Sequence, residues 1–458
     1  MKLKTLIQGL KVEVRGKKEV DVTGISSDSR TVSPGNLFIA KKGLSFDGSQ
    51  FIPQALNAGA SVIVTDIYDP FLPIPQVITH QSIESKLAAR YYGDPSKKLF
   101  VVGVTGSKGK TTTTYLIKHI LEDLDLFTGL IGGVETIVGE NRWASSLTTH
   151  DVVSNHKWLK EMVQKGCKGA VIEVSSHGLH QGRVDEVDFD LGVFTNLIPD
   201  HLDYHGTMEE YAAAKRKLFA KAKKGIFNAD SPWKMGEGLT FGVEKGDVRA
   251  EEIVLGPDGT EFRVAGVLFK LPLIGKFNVY NALASIAVGI ERGAKLETLS
   301  DSLGRFTFVP GRMERIGNVF VDFSHTGESL EMALCTLKEI AKGKVIVVFG
   351  GAGDRDPSRR MALGRAAAKW ADISIITNDN PRKEDPEEIA KQVAFQFQKP
   401  PFIELDRRKA IEMAMQLAGK DDLVLIAGKG HQREQIFAHH TIPFDDIAVV
   451  KEILSMSL

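Results

Sequence analysis

Leu99-Phe100-Val101-Val102-Gly103-Val104-Thr105-Gly106-Ser107-Lys108-Gly109-Lys110-Thr111-Thr112 is the stretch on which the reading of this chain turns. Its first six residues form a short apolar run, which reads as a buried parallel strand. A glycine-containing loop follows. Then comes a helix with apolar residues at Leu116, Ile117, Ile120, Leu121 and Leu124. Glycines let backbone N–H groups approach phosphate oxygens, and the helix N-terminus adds a positive dipole. In such a loop Lys110 reaches terminal phosphates and the Thr111 hydroxyl binds Mg²⁺. The usual pattern has a glycine where Val104 stands, so the loop is a variant of it. The competing reading is a glycine turn with a solvated lysine; the strand–loop–helix context favours phosphate. A motor or a GTPase stays open on this stretch alone.

Working outward, Ala170-Val171-Ile172-Glu173-Val174 and Leu191-Gly192-Val193-Phe194 are further buried-strand candidates. Strands alternating with helical patterns predict an α/β sheet. A block before it runs to about Pro95, with a strand-like Ser61-Val62-Ile63-Val64 and a turn at Ser33-Pro34-Gly35-Asn36. Asp94-Pro95-Ser96-Lys97-Lys98 reads as a polar link. A third block starts near Pro310-Gly311. It carries strands at 345–349, 373–376 and 423–426, each ending in a loop of glycines and charged residues. Ligands bind outside the carboxyl ends of such strands.

A chain of 458 residues suggests about three domains. Lys+Arg and Asp+Glu balance at 58 each, so no global basic field points to nucleic acid. Cys167 and Cys335 fit no metal spacing and no disulfide framework. No apolar signal segment and no membrane span of ~20 residues is expected.

Glu173 lies in an apolar strand. A buried carboxylate needs a cation or a hydrogen-bond network, and the upstream phosphate loop favours a metal. Asp200 and His201 follow the next strand, where an ATP or metal role is favoured over a structural one. Thr207-Met208-Glu209-Glu210 is a capping box opening a helix that carries Lys215. Alone, Lys215 reads as a surface helix lysine.

These motifs together resemble the Mur ligases, cytoplasmic enzymes that build the peptide stem of bacterial peptidoglycan, and among them the branch that adds the third amino acid. The resemblance covers essentially the whole chain. It rests on Asp28-Ser29-Arg30, Pro34-Gly35, Asp47-Gly48, the phosphate loop, Thr148-Thr149, Glu173-Val174-Ser175-Ser176-His177-Gly178-Leu179 and Gly182-Arg183. It continues through Thr195-Asn196, Asp200-His201-Leu202-Asp203-Tyr204-His205-Gly206 and Ala213-Ala214-Lys215. Asn278-Val279-Tyr280-Asn281-Ala282, Pro310-Gly311-Arg312-Met313-Glu314 and Asp322 with His325 follow. Gly353-Asp354-Arg355-Asp356, Asp379-Asn380-Pro381-Arg382 and Gly428-Lys429-Gly430-His431 complete it.

The resemblance implies three α/β domains. A small UDP-substrate-binding domain spans 1–97, a central P-loop ATPase domain 98–309 and a Rossmann-like amino-acid-binding domain 310–458. It places Gly106, Ser107, Lys108, Gly109, Lys110, Thr111, Thr112, Asn278, Asn281, Arg312 and Asp322 at ATP. Ser29, Thr148, Thr149, Ser175, Gln181 and Arg183 match positions that hold the uridine nucleotide and muramoyl-dipeptide. Thr111, Glu173 and His201 match the Mg²⁺ shell. Lys215 matches a lysine that becomes a carbamate, an anion able to bind a second Mg²⁺. Lys110, Lys215, Glu173 and His201 thus form the implied catalytic set. Arg355, Asp379, Asn380, Pro381, Arg382, Gly428 and Gln432 match the amino-acid site. The implied cofactors are ATP and Mg²⁺, and the implied partners are UDP-N-acetylmuramoyl-dipeptide and diaminopimelate. A cytoplasmic monomer, binding neither nucleic acid nor membrane, is expected.

Diaminopimelate carries a distal carboxylate that lysine lacks. Arg382 would pair bidentately with it and repel a lysine side chain. The chain departs from the family at Gln432, where a glutamate is usual, and this leaves an L-lysine-adding or other Mur-type ligase as the alternative. It also departs at Lys108, His150, Ser324 and Gly327. These departures motivate a second alternative, a catalytically silent scaffold. Retention of Lys110, Thr111, Glu173, His201 and Lys215 argues against that. The expected chemistry is attack of a D-glutamyl carboxylate on the γ-phosphate, then aminolysis of the acyl phosphate.

Overall fold

The computed structural model describes residues 1–40 and 47–456. They divide into two compact units. One comprises residues 1–241 with 287–292, and the other residues 242–286 with 293–458.

The first unit contains two sheets. Near the N-terminus five strands lie in the order Glu13–Arg15, Gln76–Ile78, Val62–Thr65, Asn36–Ile39, Gly24–Ser26. Only the first pair is antiparallel. The runs Asn36–Ile39 and Val62–Thr65 are buried at every position, as a parallel strand covered on both faces requires. Gly35, in the expected turn, takes φ 84°, a left-handed conformation that suits glycine.

The second sheet is built around Phe100–Thr105. Its parallel part runs Leu239–Gly242, Ala222–Asn228, Phe189–Phe194, Phe100–Thr105, Gly169–Glu173, Thr128–Ile131. The antiparallel strands Glu135–Val138 and Asn141–Ala144 extend one edge. Glu173 is level with Val104, and Phe194 with Thr105. Three strands therefore end together, and the loops 106–109, 174–175 and 195–201 leave the sheet on one side. The polar link expected at Asp94–Lys98 is instead a 3-10 turn, Pro95–Lys98, with Pro95 and Ser96 buried. Ser96 Oγ accepts from the Asp188 N–H at 3.1 Å, which explains why the segment is anchored.

The second unit contains the antiparallel strands Val248–Gly256, Gly259–Val264 and Val267–Leu271. It also holds a six-stranded sheet ordered Glu314–Ile316, Val319–Asp322, Leu423–Ala427, Val345–Phe349, Ile373–Ile376, Phe402–Ile403. Counted from Val345–Phe349, four parallel strands follow the order 3-2-1-4 of a Rossmann-like half. The order reverses between Val345–Phe349 and Leu423–Ala427, so their following loops flank the switch point, where such folds bind ligands.

Candidate active site

Gly109, at φ 84°, is the N-cap of the helix Lys110–Asp123. The loop before it is clamped from the end of the neighbouring strand. Asn196 Oδ1 accepts from the Lys108 N–H at 2.9 Å. Asn196 Nδ2 and Thr195 Oγ1 donate to Lys108 O at 3.1 and 2.7 Å. The Ser107 N–H donates to Asn196 O at 2.9 Å. Ser107 Oγ accepts from the Ile198 N–H at 3.0 Å and lies 3.1 Å from the Tyr211 hydroxyl. The loop is thus fixed by protein bonds, so a phosphate entering it need not reorganise it. Lys110 Nζ donates to Gly106 O and Ser107 O at 2.9 and 3.0 Å. Lys108 Nζ donates to Asp200 Oδ2 at 3.2 Å. Burial pushes the Asp200 carboxyl up, but Lys108 and His201 pull it below the usual carboxylate range.

Glu173 is 1% exposed. Its Oε2 accepts from Thr111 Oγ1 and its Oε1 from the Gly133 N–H, each at 3.2 Å. A Cβ on Gly132 would lie 2.7 Å from Oε1, so any side chain there would push this carboxylate from its present position. Lys215 lies under the same loop, also 1% exposed, with Nζ donating to Gly106 O at 2.8 Å and 4.5 Å above the Tyr211 ring. Burial drives its pKa well down, Lys110 adds to that, and Asp200 opposes it. The reading of Lys215 as a surface lysine is therefore wrong. The helix face that bears it packs inward, with Tyr211, Ala212, Ala214 and Leu218 buried alongside. The N-cap half of the expected capping box is present, Thr207 Oγ1 accepting from the Glu210 N–H at 3.2 Å.

His201 adopts φ 54°, unusual for a residue with a side chain. Its ring lies 4.8 Å from that of His177 and 6.2 Å from that of Tyr211. Burial holds His177 and His201 below the usual imidazole range and brings His205 to about 4. Among the described residues, no three His, Cys, Asp or Glu side chains are grouped to hold a metal. The donor set nevertheless fits Mg²⁺. That ion takes one or two protein oxygens and fills the rest of its shell with phosphate oxygens and water. Thr111 and Glu173, touching at a helix N-terminus, offer those oxygens.

The residues expected at the sugar-peptide substrate meet at the next loop. Thr149 Oγ1 donates to Glu173 O at 2.9 Å and accepts from the Ser175 N–H at 2.9 Å. Ser175 Oγ caps the helix Ser176–His180, accepting from the Gly178 N–H. Arg183 donates to Thr149 O at 2.8 Å and from Nε and Nη2 to Gln181 Oε1 at 3.0 and 2.7 Å. Thr148 stands beside Gly133. Ser29, in the N-terminal sheet's domain, donates to Gln54 Oε1 at 2.8 Å. His150 is half-buried, with Nε2 3.1 Å from Thr136 Oγ1 and 3.4 Å from Ser145 Oγ.

The remaining expected residues belong to the second unit. Asn278 Nδ2 donates to Ile274 O, and Asn281 Nδ2 to Asn278 Oδ1, both at 2.9 Å. Arg312 lies 4.8 Å above the Phe323 ring. Asp322 accepts from the Met313 N–H at 2.8 Å and from the Ser324 hydroxyl; burial pushes its pKa up. Arg355 is exposed. Arg382, at φ 50°, donates from Nη1 to Gly353 O at 2.6 Å, and its N–H donates to Ile436 O at 3.1 Å. The Gly353 N–H donates to Asn380 O at 2.9 Å. A Cβ on Gly353 would collide with Pro381 O. The loops bearing Arg355 and Arg382 are thus sewn together. Arg360, 2% exposed, completes the seam through Ala352 O and Glu384 Oε1.

Sequence reasoning left several residues without a role. Asn196 lay in a motif but was not assigned as the loop clamp. Gly132 carried a signal, a Gly-Gly after the apolar Leu130-Ile131. Arg360 carried none, because a buried arginine in a helix reads like a solvated one. The same holds for Arg407, whose Nε and Nη2 meet both Asp446 oxygens at 2.8 Å with both side chains 0% exposed.

Comparison with known proteins gives three family matches: "Mur ligase family, catalytic domain" over residues 21–92, "Mur ligase middle domain" over 104–289, and "Mur ligase, glutamate ligase domain" over 304–430. A UDP-N-acetylmuramoyl-L-alanyl-D-glutamate–2,6-diaminopimelate ligase of Chlamydia caviae is 41% identical over 99% of each chain. The enzyme of that name from Caldanaerobacter subterraneus is 40% identical over 100% of each. A solved structure of a ligase of that name superposes with a TM-score of 0.71 at 28% identity, covering 100% of this chain and 99% of that one. A MurF ligase of Thermotoga maritima in complex with ADP gives 0.64 at 21% identity, covering 96% of this chain and 99% of that one, a likeness of fold alone.

Proposed function

The chain belongs to the Mur ligase family, and we propose that it joins diaminopimelate to UDP-N-acetylmuramoyl-L-alanyl-D-glutamate with conversion of ATP to ADP and phosphate. The observation that carries this reading is the convergence of Lys110, Lys215, Thr111 and Glu173 on one preset phosphate loop. The full-length relatives bearing that name support the substrate pair.

The chemistry balances as two displacements. The D-glutamyl γ-carboxylate attacks the γ-phosphorus of ATP, and the bond to ADP breaks. The amine of the incoming amino acid then attacks the acyl carbon, and phosphate leaves. Lys110 and the loop amides hold the phosphates. Thr111 and Glu173 hold the cation, whose positive charge, when bound, offsets repulsion between carboxylate and phosphate. Asn196 and Thr195 keep the loop in place. His201 borders the same loop beside Asp200. Thr149, Ser175, Gln181 and Arg183 orient the peptide arm.

Lys215 is assigned as the carbamate. Burial favours the neutral amine, whose lone pair attacks CO₂; the nitrogen releases a proton and an anion remains. Arg382 and Asn380 take the distal carboxylate of diaminopimelate, with Arg355 and Gly428 beside them. Domain joints at 97/98 and 309/310 and a cytoplasmic location complete the proposal. No described helix is long and apolar enough to cross a membrane.

The test is ATP turnover by the purified protein with Mg²⁺ and UDP-muramoyl-dipeptide, offering diaminopimelate and L-lysine in parallel and weighing the product. ADP release that requires all three substrates, with product mass matching diaminopimelate, is expected. Absence of ADP under every combination refutes the ligase reading, and preference for L-lysine refutes the substrate assignment.

A further inference from the structure

Gly428-Lys429-Gly430 has the look of a second phosphate turn, yet the lysine side chain turns the other way. It is 0% exposed and runs behind the loop after Ile373–Ile376. There Nζ donates to Asn380 Oδ1 at 3.0 Å and lies 3.6 Å from Asp379 Oδ1. Asn380 Oδ1 also accepts from the Ile436 N–H at 3.0 Å.

That second bond fixes the amide. A backbone N–H can only donate, so the atom facing it is oxygen, whichever way the side-chain amide would otherwise be drawn. Asn380 Nδ2 consequently points away from Lys429. Its contact there is Gln432 Oε1 at 3.5 Å, too long for a full hydrogen bond. Two N–H donors are therefore presented beside Arg382, and a group with two lone-pair-bearing oxygens satisfies them.

We propose that Lys429 is a positioning residue for the incoming amino acid: it clamps Asn380 Oδ1 so that Nδ2 is presented as a donor to a substrate carboxylate. This rests on the ligase reading above. Lys429 acts through Asn380 and touches no substrate itself. The arrangement also dictates what an acid at 380 would do. In Asn380→Asp one oxygen stays on Lys429 and Ile436, and the other replaces a donor by a negative acceptor facing the substrate carboxylate.

The experiment is steady-state kinetics of wild type, Lys429→Met, Lys429→Arg, Asn380→Ala and Asn380→Asp, varying amine, ATP and sugar nucleotide separately. Diaminopimelate is the amine, or L-lysine if wild type prefers it. Lys429→Met is expected to raise KM for the amine about tenfold or more, the loss of a donor to a charged group. The KM values for ATP and sugar nucleotide should stay within about twofold and kcat within about threefold. Lys429→Arg, which keeps a cationic donor, should recover part of the loss. Asn380→Asp should raise the amine KM beyond Asn380→Ala. An unchanged amine KM in Lys429→Met overturns the proposal, as does a parallel rise in all three KM values. If Lys429→Met does not fold, the Asn380 pair decides: aspartate no worse than alanine overturns it. Wild type that couples no amine refutes the ligase reading itself, an outcome distinct from an active wild type with an indifferent Lys429→Met.

Discussion

Lys215 and Lys429 are both buried lysines, and they are treated in opposite ways. Lys429 has Asp379 at 3.6 Å and an amide oxygen at 3.0 Å. Arg407, packed nearby in the same unit, has Asp446 bidentate. Lys215 has a carbonyl oxygen, a tyrosine ring and a second lysine around it; Asp200 acts on it only from beyond ion-pair distance. Taking a charge out of water costs several kcal/mol unless a partner answers it. The compensated lysine holds its neighbour Asn380 in place. Burial pushes the uncompensated one toward its neutral form, the form that the proposed reaction with CO₂ needs.

The sharpest way to break this contrast is Lys215→Met. It should lower kcat roughly 10²–10³-fold, as loss of a group that holds transition-state charge does, while leaving the melting temperature unchanged or higher. Intact mass of wild type in bicarbonate should show one added CO₂, absent in the variant. Near-normal turnover removes the carbamate from the mechanism. Asp446→Ala, by contrast, should destabilise by roughly 3–4 kcal/mol in denaturant titration, because Arg407 is left buried without its partner. A loss under about 1 kcal/mol would mean Arg407 finds water.

Arg382→Ala should raise KM for diaminopimelate roughly 10–100-fold, with ATP and sugar-nucleotide KM unchanged, since a bidentate ion pair is lost. An unchanged KM for diaminopimelate ends that assignment. Gly132→Ala should raise the Mg²⁺ concentration for half-maximal activity about tenfold, the added methyl displacing the Glu173 carboxylate. Calorimetric Mg²⁺ binding with a non-hydrolysable nucleotide should weaken likewise; unaltered binding shows that Glu173 is not the ligand.

The smallest effect is on pH dependence. Burial holds His431 at about 4, below an unfolded value near 6.5. A depressed histidine means that the unfolded state binds the extra proton. Its stability contribution is therefore complete above pH 6.5 and is lost as pH falls toward 4. Wild type should lose about 1 kcal/mol more than His431→Phe between pH 7.5 and pH 5.5. Equal losses would show that another group carries the acid sensitivity.

The phosphate loop was legible because its chemistry is consecutive: strand, glycines, lysine, threonine and helix occupy one run of residues. The burial of Val62–Thr65, Gly169–Glu173 and Val345–Phe349 was legible for the same reason. Lys215 was not, except through the resemblance. Its neighbours Ala213, Ala214 and Arg216 leave the buried face ambiguous, and only packing against the strands settles it. Arg407 and Asp446 are far apart in sequence, and nothing in either segment announces the other. The polar composition of Asp94–Lys98 concealed the burial of Pro95 and Ser96, because a 3-10 turn can tuck small residues inward while its lysines stay wet. Gln432 stands out in the sequence only as a departure from the family's glutamate; that its Oε1 faces the Asn380 amide, at 3.5 Å, needs the fold.

The level ending of Phe100–Thr105, Gly169–Glu173 and Phe189–Phe194 sets a limit on how this protein can vary. Side chains alternate along a strand, so deleting one residue within 169–173 would swing the carboxyl at 173 to the opposite face of the sheet. Exchanges among valine, isoleucine and leucine there should be tolerated, whereas a change of length should not. Insertions belong in the surface turns at the far edge, such as the one between Glu135–Val138 and Asn141–Ala144, where no catalytic spacing is counted in residues.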